Sequence, residues 1–329
     1  MTRHGRFFAA LLLLAAAVVL ASLLIGSVPV EPGPAFSALL GRGDASTVTI
    51  VRDLRLPRAL LGLLVGGALA LSGAALQALL GNPLADPYLL GVSGGAACGT
   101  LFGVLLGLGA GGALGAFALP VASLAGALGA VLLVGVGASV GGRLDRGRLL
   151  LSGVVVNALA SAVLLFLLSF GDAADTRGFV FWMLGSLAGA TGDAVASLAV
   201  YSALALAVLV PLSRAFDALT LGEETAFTLG VSVEKAKRVA YVAASLLAAA
   251  AVAHAGIIGF VGLLVPHLVR RLTRGHRALL AGSFLAGGVL LVASDLLARS
   301  LFAPSEISIG AVTALLGAPA FLVLLRRRT

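Results

Sequence analysis

Long apolar runs dominate the chain, and the short polar gaps between them collect most of its charge. A helix that crosses a bilayer needs about 20 consecutive apolar residues. Runs of that kind occupy 7–27, 57–80, 88–108, 114–140, 148–170, 193–212, 236–256, 278–298 and 307–325. The stretch 258–269 is apolar but shorter, and it contains Pro266 and His267; it predicts a tenth, broken span, since otherwise the basic loops on either side would fall on opposite faces. The pattern therefore predicts an all-α integral membrane protein of about ten transmembrane helices, with 1–329 forming a single transmembrane domain. The first run follows Arg3 and Arg6 and exceeds the apolar core of about 7–15 residues found in cleavable leaders, which predicts a retained span.

Composition agrees with this pattern. Of the 329 residues, 60% are hydrophobic and only 11% are charged, against about 25% charged in a soluble domain. Too little polar surface exists to face water, so the solvent must be lipid. The 44 glycines suit helices that pack closely in a membrane. A net charge of +8 would suit nucleic acid on a soluble protein. Here the basic residues lie in the gaps, where they set topology, and no nucleic-acid partner is expected. With the N-terminus inside, the inner gaps and tail hold sixteen of the 22 lysines and arginines. That bias predicts cytoplasmic N- and C-termini and a multi-pass protein of the cell's inner, cytoplasmic membrane. The single cysteine, Cys98, allows no intrachain disulfide.

Catalytic motifs are scarce. A phosphate-binding loop needs a lysine followed by a hydroxyl residue, whereas Lys235 and Lys237, the only lysines, precede Ala236 and Arg238. Nucleotide hydrolysis would therefore take place on another subunit. His4, His254, His267 and His276 show no metal-ligand spacing, so neither a metal nor a cofactor is expected. Polar residues inside apolar runs are more informative. Gln77, Asn157 and Asp295 are costly in lipid and should face the bundle interior, holding helices together or lining a path. Between Asn82 and Pro87, two prolines within five residues, Pro83 and Pro87, stop a helix. Irregular backbone of that kind is tolerated only when buried in protein or lining a cavity.

Nine short pieces then follow one another in order. They are Arg55-Leu56-Pro57-Arg58, Ser72–Gln77, Asn82–Pro87 with Leu90–Ala96, Ser152–Asn157 and Trp182–Ser186. Next come Leu221-Gly222-Glu223-Glu224 with Gly230, Gly259–His267, Ala293-Ser294-Asp295 with Arg299, and Glu306 with Gly310 and Gly317-Ala318-Pro319. This set resembles the permease family of ABC importers for iron–siderophore complexes, haem and cobalamin. Two departures are visible: Ser308 stands where the family has proline, and Ser152 where it often has alanine.

The resemblance implies a complex of two permeases, identical or related, with two ATP-binding subunits and a substrate-binding protein outside. It implies that the segment at about 213–235, with Gly222, Glu223, Glu224 and Gly230, couples to the ATPase. Arg55, Arg58 and Arg299 would dock glutamates of the periplasmic or extracellular binding protein, which explains basic residues on the outer side. Gln77, Asn82, Pro83, Asn157, Pro266, His267 and Asp295 would line the translocation path or hold the bundle together. The competing class is an ion-gradient-driven secondary transporter, which places acidic residues near mid-bilayer. Asp295 is the one candidate for that role, and it lies toward one end of its run.

Overall fold

The computed structural model describes residues 3–108, 112–303 and 305–326, and it is helical almost throughout. Helix α1 (Arg3–Leu24) is followed by two short helices, α2 (Pro32–Leu39) and α3 (Ala45–Val48). A π-helical stretch, Thr49–Arg55, runs without a break into α4 (Leu56–Leu80). Then come α5 (Val92–Leu105), α6 (Gly112–Ala138), α7 (Arg146–Leu168), α8 (Ala173–Met183) and α9 (Gly192–Leu209). Two short helices, α10 (Ser213–Leu219) and α11 (Glu223–Thr228), precede α12 (Val233–Ala255), α13 (Val261–Leu272), α14 (His276–Ser300) and α15 (Ile309–Arg326). One antiparallel hairpin, β1 (Ser139–Val140) and β2 (Arg143–Leu144), joins α6 to α7, with Ser139 opposite Leu144.

By length and apolarity, seven segments among the described residues can cross a bilayer: α1, the run Ala45–Leu80, α6, α7, α9, α12 and α14. Helices α5 and α15 are shorter apolar helices, and α13 has 12 residues. These ten correspond one to one with the segments read from the sequence. Their starts are set by local chemistry. Asp145, Asp172 and Thr191 each accept a backbone N–H from the first turn of α7, α8 and α9, which satisfies a donor the helix itself cannot. The run predicted at 88–108 becomes α-helical only at Val92, because Pro87–Leu90 forms a 3-10 turn first.

Helix α4 lies at the centre. Helices α9, α12, α13 and α14 pack around it, and every residue from Val65 to Leu80 is buried. Small residues permit this enclosure. A Cβ on Gly66 would come within 2.2 Å of the Gly287 carbonyl oxygen in α14, and one on Gly73 within 2.0 Å of the Gly262 carbonyl oxygen in α13. Such close backbone approach supplies the van der Waals contact that replaces the hydrophobic effect between helices in lipid. The Ser72 hydroxyl donates to the Ala244 carbonyl at 2.7 Å and fixes α4 on α12. By contrast, α6 and α7 turn Leu132, Val136, Leu151, Val155 and Leu165 outward.

The tenth span is broken, but not at Pro266. The break lies at 256–260, where Gly256 (φ +70°) and Phe260 (φ +68°) turn the chain, and α13 then runs through Pro266. Proline lacks the N–H that would have bonded the Gly262 carbonyl. That carbonyl instead lies 3.4 Å from the Gln77 amide nitrogen, which donates to it. The proline is accommodated because another helix supplies the missing donor.

The α4–α14 contact can be tested directly. Gly66→Val should overpack it and lower stability by about 1–3 kcal/mol, read as a lower melting temperature in detergent. Gly129→Val, whose Cβ would meet nothing within 4 Å, should leave the melting temperature almost unchanged.

Candidate functional site

Three constellations gather the polar residues. The first joins the two irregular segments inside the bundle. The Gln77 amide nitrogen lies 3.4 Å from the carbonyls of Ala85 and Gly262 and 3.3 Å from that of Leu263. The Tyr88 hydroxyl donates to the Ile258 carbonyl at 2.9 Å and accepts the Ile258 N–H at 3.0 Å. Asn157 on α7 donates to the Tyr88 carbonyl at 3.0 Å. Segments 82–91 and 256–260 therefore supply each other's partners. Asn82 and Pro83 shape the turn itself, with the Asn82 side chain accepting the Leu84 N–H at 2.9 Å. His267 is buried on α13, its Nε2 3.3 Å from an Arg271 nitrogen.

The second constellation is a charged cluster joining the end of α1 to α4, α14 and the segment that precedes α15. Arg55 is buried, and it donates to the carbonyls of Leu23 (2.7 Å), Leu24 (3.1 Å) and Val28. The first two are acceptors that the end of α1 leaves without intrahelical donors. Arg299, also buried, donates to the Ser22 carbonyl and hydroxyl and pairs with Asp295 at 3.6 Å. Arg58 lies between two carboxylates. Its Nε and Nη2 reach Asp295 at 2.8–3.1 Å, and its Nη atoms reach Glu306 at 3.0 Å. The Asp295 side chain is 2% exposed and that of Glu306 44%. The three arginines border one cavity of about 320 Å³, with Glu306 and Ala188 on its wall. The sequence reading treated the arginines as free for docking. The structure brings them together, but it spends much of their donor capacity on α1 and on Asp295.

The third constellation surrounds α11. Glu223 pairs with Arg146 at 3.0 Å and with Lys237 at 3.1 Å. Buried Lys237 also reaches Glu234 at 3.3 Å and the Leu144 carbonyl at 2.6 Å, while Glu234 accepts the Leu144 N–H at 2.7 Å. Asp217 on α10 accepts from the backbone N–H of His276 at 3.0 Å, and its side chain lies 2.6 Å from His276 Nδ1. The base of α11 is thereby tied to the β1–β2 hairpin, to α7 and to α12. Gly222 (φ +107°) and Gly230 (φ +82°) take left-handed conformations that side chains resist and so delimit the element. Its free side is apolar and acidic: Glu224 is exposed, and Leu221, Phe227 and Leu229 are 64%, 74% and 63% exposed. A cavity of about 760 Å³ opens there between Phe227, Glu224 and Arg143. Sequence reading missed Phe227, Lys237 and Tyr88. The first stands three residues after Glu224 in the long gap between apolar runs, which was the available signal for it. The partners of the other two are distant in sequence.

The FecCD transport family model matches residues 12–327. The chain belongs to the FecCD transport family. It is 42% identical over 296 residues to the cobalamin import system permease BtuC of Halobacterium salinarum, covering 89% of this chain and 78% of that one. It is 39% identical over 331 residues to the vitamin B12 import system permease BtuC of Citrobacter koseri, covering 98% and 94%. Among solved structures, a metal-chelate type ABC transporter in an inward-facing conformation superposes with a TM-score of 0.84 at 31% identity, covering 98% and 99% of the two chains. This FecCD member is thus the permease of an ABC importer, a multi-pass membrane protein and not a catalytic subunit.

The charged cluster makes a sharp distinction between its two carboxylates. Removing one partner of a buried pair costs about 3–5 kcal/mol, so Asp295→Asn should strongly lower the melting temperature of the detergent-solubilised protein. An exposed pair contributes less than about 1 kcal/mol, so Glu306→Gln should lower it only slightly.

Proposed function

We propose that this permease passes a cobalamin-type metal chelate, received from a binding protein outside the cell, between itself and a second permease copy. The support for the substrate class is the pair of relatives named for cobalamin and vitamin B12 import, at 42% and 39% identity. The resemblance read from the sequence also includes iron–siderophore and haem carriers. ATP hydrolysis takes place on two copies of a separate ATP-binding subunit. The coupling loop at about 213–235 is the contact with that subunit.

One observation carries this reading. Segment 213–235 presents exposed Phe227, Leu221 and Leu229 beside exposed Glu224. Large apolar side chains in a water-facing loop mark a surface meant for a protein partner. The same segment is tied through Glu223 and Lys237 to α12, which packs on the central helix α4. A push on α11 therefore has a physical route into the bundle. Outside, the cavity bordered by Arg55, Arg58 and Arg299 offers cations to carboxylates of a carrier protein. Complementary charge of that kind steers encounter and fixes register more than it adds affinity.

Reconstitution tests the reading. Vesicles holding the permease, its ATP-binding subunit and the carrier protein should accumulate labelled cobalamin only with ATP on the ATPase side. Accumulation by the permease alone under a proton or sodium gradient would instead make it a secondary carrier. In the full system, Phe227→Ala or Glu224→Ala should weaken association with the ATPase by about 2 kcal/mol, as for a typical hot-spot residue. Expression should be unaffected. Association measured by size-exclusion or calorimetric titration reads the result.

A further inference from the structure

Beside the coupling constellation, α12 carries a ridge that faces outward from the bundle. Arg238 and Val242, one turn apart, are both exposed on it. On one side, α9 and α12 enclose a cavity of about 470 Å³ walled by Leu204, Val208, Ala243 and Leu246. On the other, α6 and α12 enclose a second cavity of about 470 Å³ walled by Leu128, Leu132, Val136 and Tyr241. Arg238 and Val242 line both. The Tyr241 hydroxyl is already committed, donating to the Val131 carbonyl at 2.6 Å, so the walls are almost wholly hydrocarbon.

We infer that this ridge binds an anionic diacyl phospholipid of the cytoplasmic leaflet, with one acyl chain in each groove and the phosphate at Arg238. Depth is the first argument. From Arg238 to Leu246 the helix rises about 12 Å, close to one leaflet of a hydrocarbon core about 30 Å thick. Branching is the second. Two apolar grooves share one guanidinium, as two acyl chains share one headgroup.

Charge is the third argument. Arg238 Nε lies 3.4 Å from Glu234, and Nη2 donates to the Gly142 carbonyl. A guanidinium has five N–H donors, and Arg238 Nη1 takes part in no hydrogen bond among the described residues. Arg143, next in the chain to Gly142, and Lys235 are exposed as well. The neighbouring carboxylate, Glu234, is shared with Lys237 and the Leu144 N–H. This basic rim lies at the cytoplasmic end of the span, where anionic headgroups attract lysine and arginine.

Native mass spectrometry of the full chain in mild detergent tests the proposal. The probes are dioleoyl phosphatidylglycerol, dioleoyl phosphatidylcholine and single-chain lysophosphatidylglycerol. The wild type should retain the two-chain anionic lipid in preference to the other two. Arg238→Ala should lower that retention about five-fold, the worth of one basic residue at an anionic surface, and Arg238→Lys should keep most of it. Leu204→Trp and Leu132→Trp, which narrow one groove each and leave Arg238 in place, should also lower it. Equal retention of the glycerol and choline lipids would overturn the proposal. So would equal retention of the single-chain lipid, or no response to Arg238→Ala. A change from dimer to monomer in Arg238→Ala without any change in lipid would also overturn it, marking the face as a contact between copies.

Discussion

Backbone that leaves a helix inside an apolar bundle must find its hydrogen-bond partners within the protein, because lipid offers none. Two of the departures from regular helix among the described residues, between α4 and α5 and between α12 and α13, face each other, and each supplies partners to the other. Tyr88, from the first break, takes both backbone groups of Ile258 in the second. Gln77 reaches carbonyls on either side, including the one that Pro266 leaves without a donor. A net hydrogen bond contributes only about 0.5–1.5 kcal/mol, but an unpaired buried group costs about 1–3 kcal/mol. The role of this polar set is therefore mainly to avoid a penalty. In doing so it fixes α4, α7 and α13 relative to one another.

Around that pinned centre, the two charged ends differ in character. The cluster at Arg58 is turned inward, holding the end of α1 and the facing helices α4 and α14 through a carboxylate that water scarcely reaches. The cluster at Glu223 is half open, with Glu223 on the short helix α11, its basic partners in the first turns of α7 and α12, and apolar side chains exposed beside them. A rigid centre with a compliant inner rim suits a permease biased by partner proteins, since packed cores switch between discrete arrangements instead of deforming smoothly.

The membrane architecture was legible in the sequence because apolar length alone decides which segments cross a bilayer, and α1, α6 and α14 lie where their runs predicted. The position of the break before α13 was not legible, although Pro266 is the conspicuous helix breaker. The actual turn uses Gly256 and a left-handed Phe260, and a proline past the first turn of α13 is rescued by a side chain from another helix. The types of the polar residues were legible, but their partners were not. Arg58 and Asp295 stand 237 positions apart, and no local pattern links Asn157 to Tyr88. Phe227 was overlooked because exposure, not hydrophobicity, makes it informative, and exposure becomes visible only once the helices are packed.

The breaks are closed by internal hydrogen bonds and should be as firm as the helices beside them. Hydrogen–deuterium exchange of the permease in lipid nanodiscs measures this amide by amide. The N–H groups of Ala85, Tyr88 and Ile258, each bonded within the protein, should exchange as slowly as those of α4. Segment 221–232 should exchange much faster. Rapid exchange at Tyr88 and Ile258, at the rate of the open segment, would mean that the breaks open independently of the helices and that these bonds do not hold them.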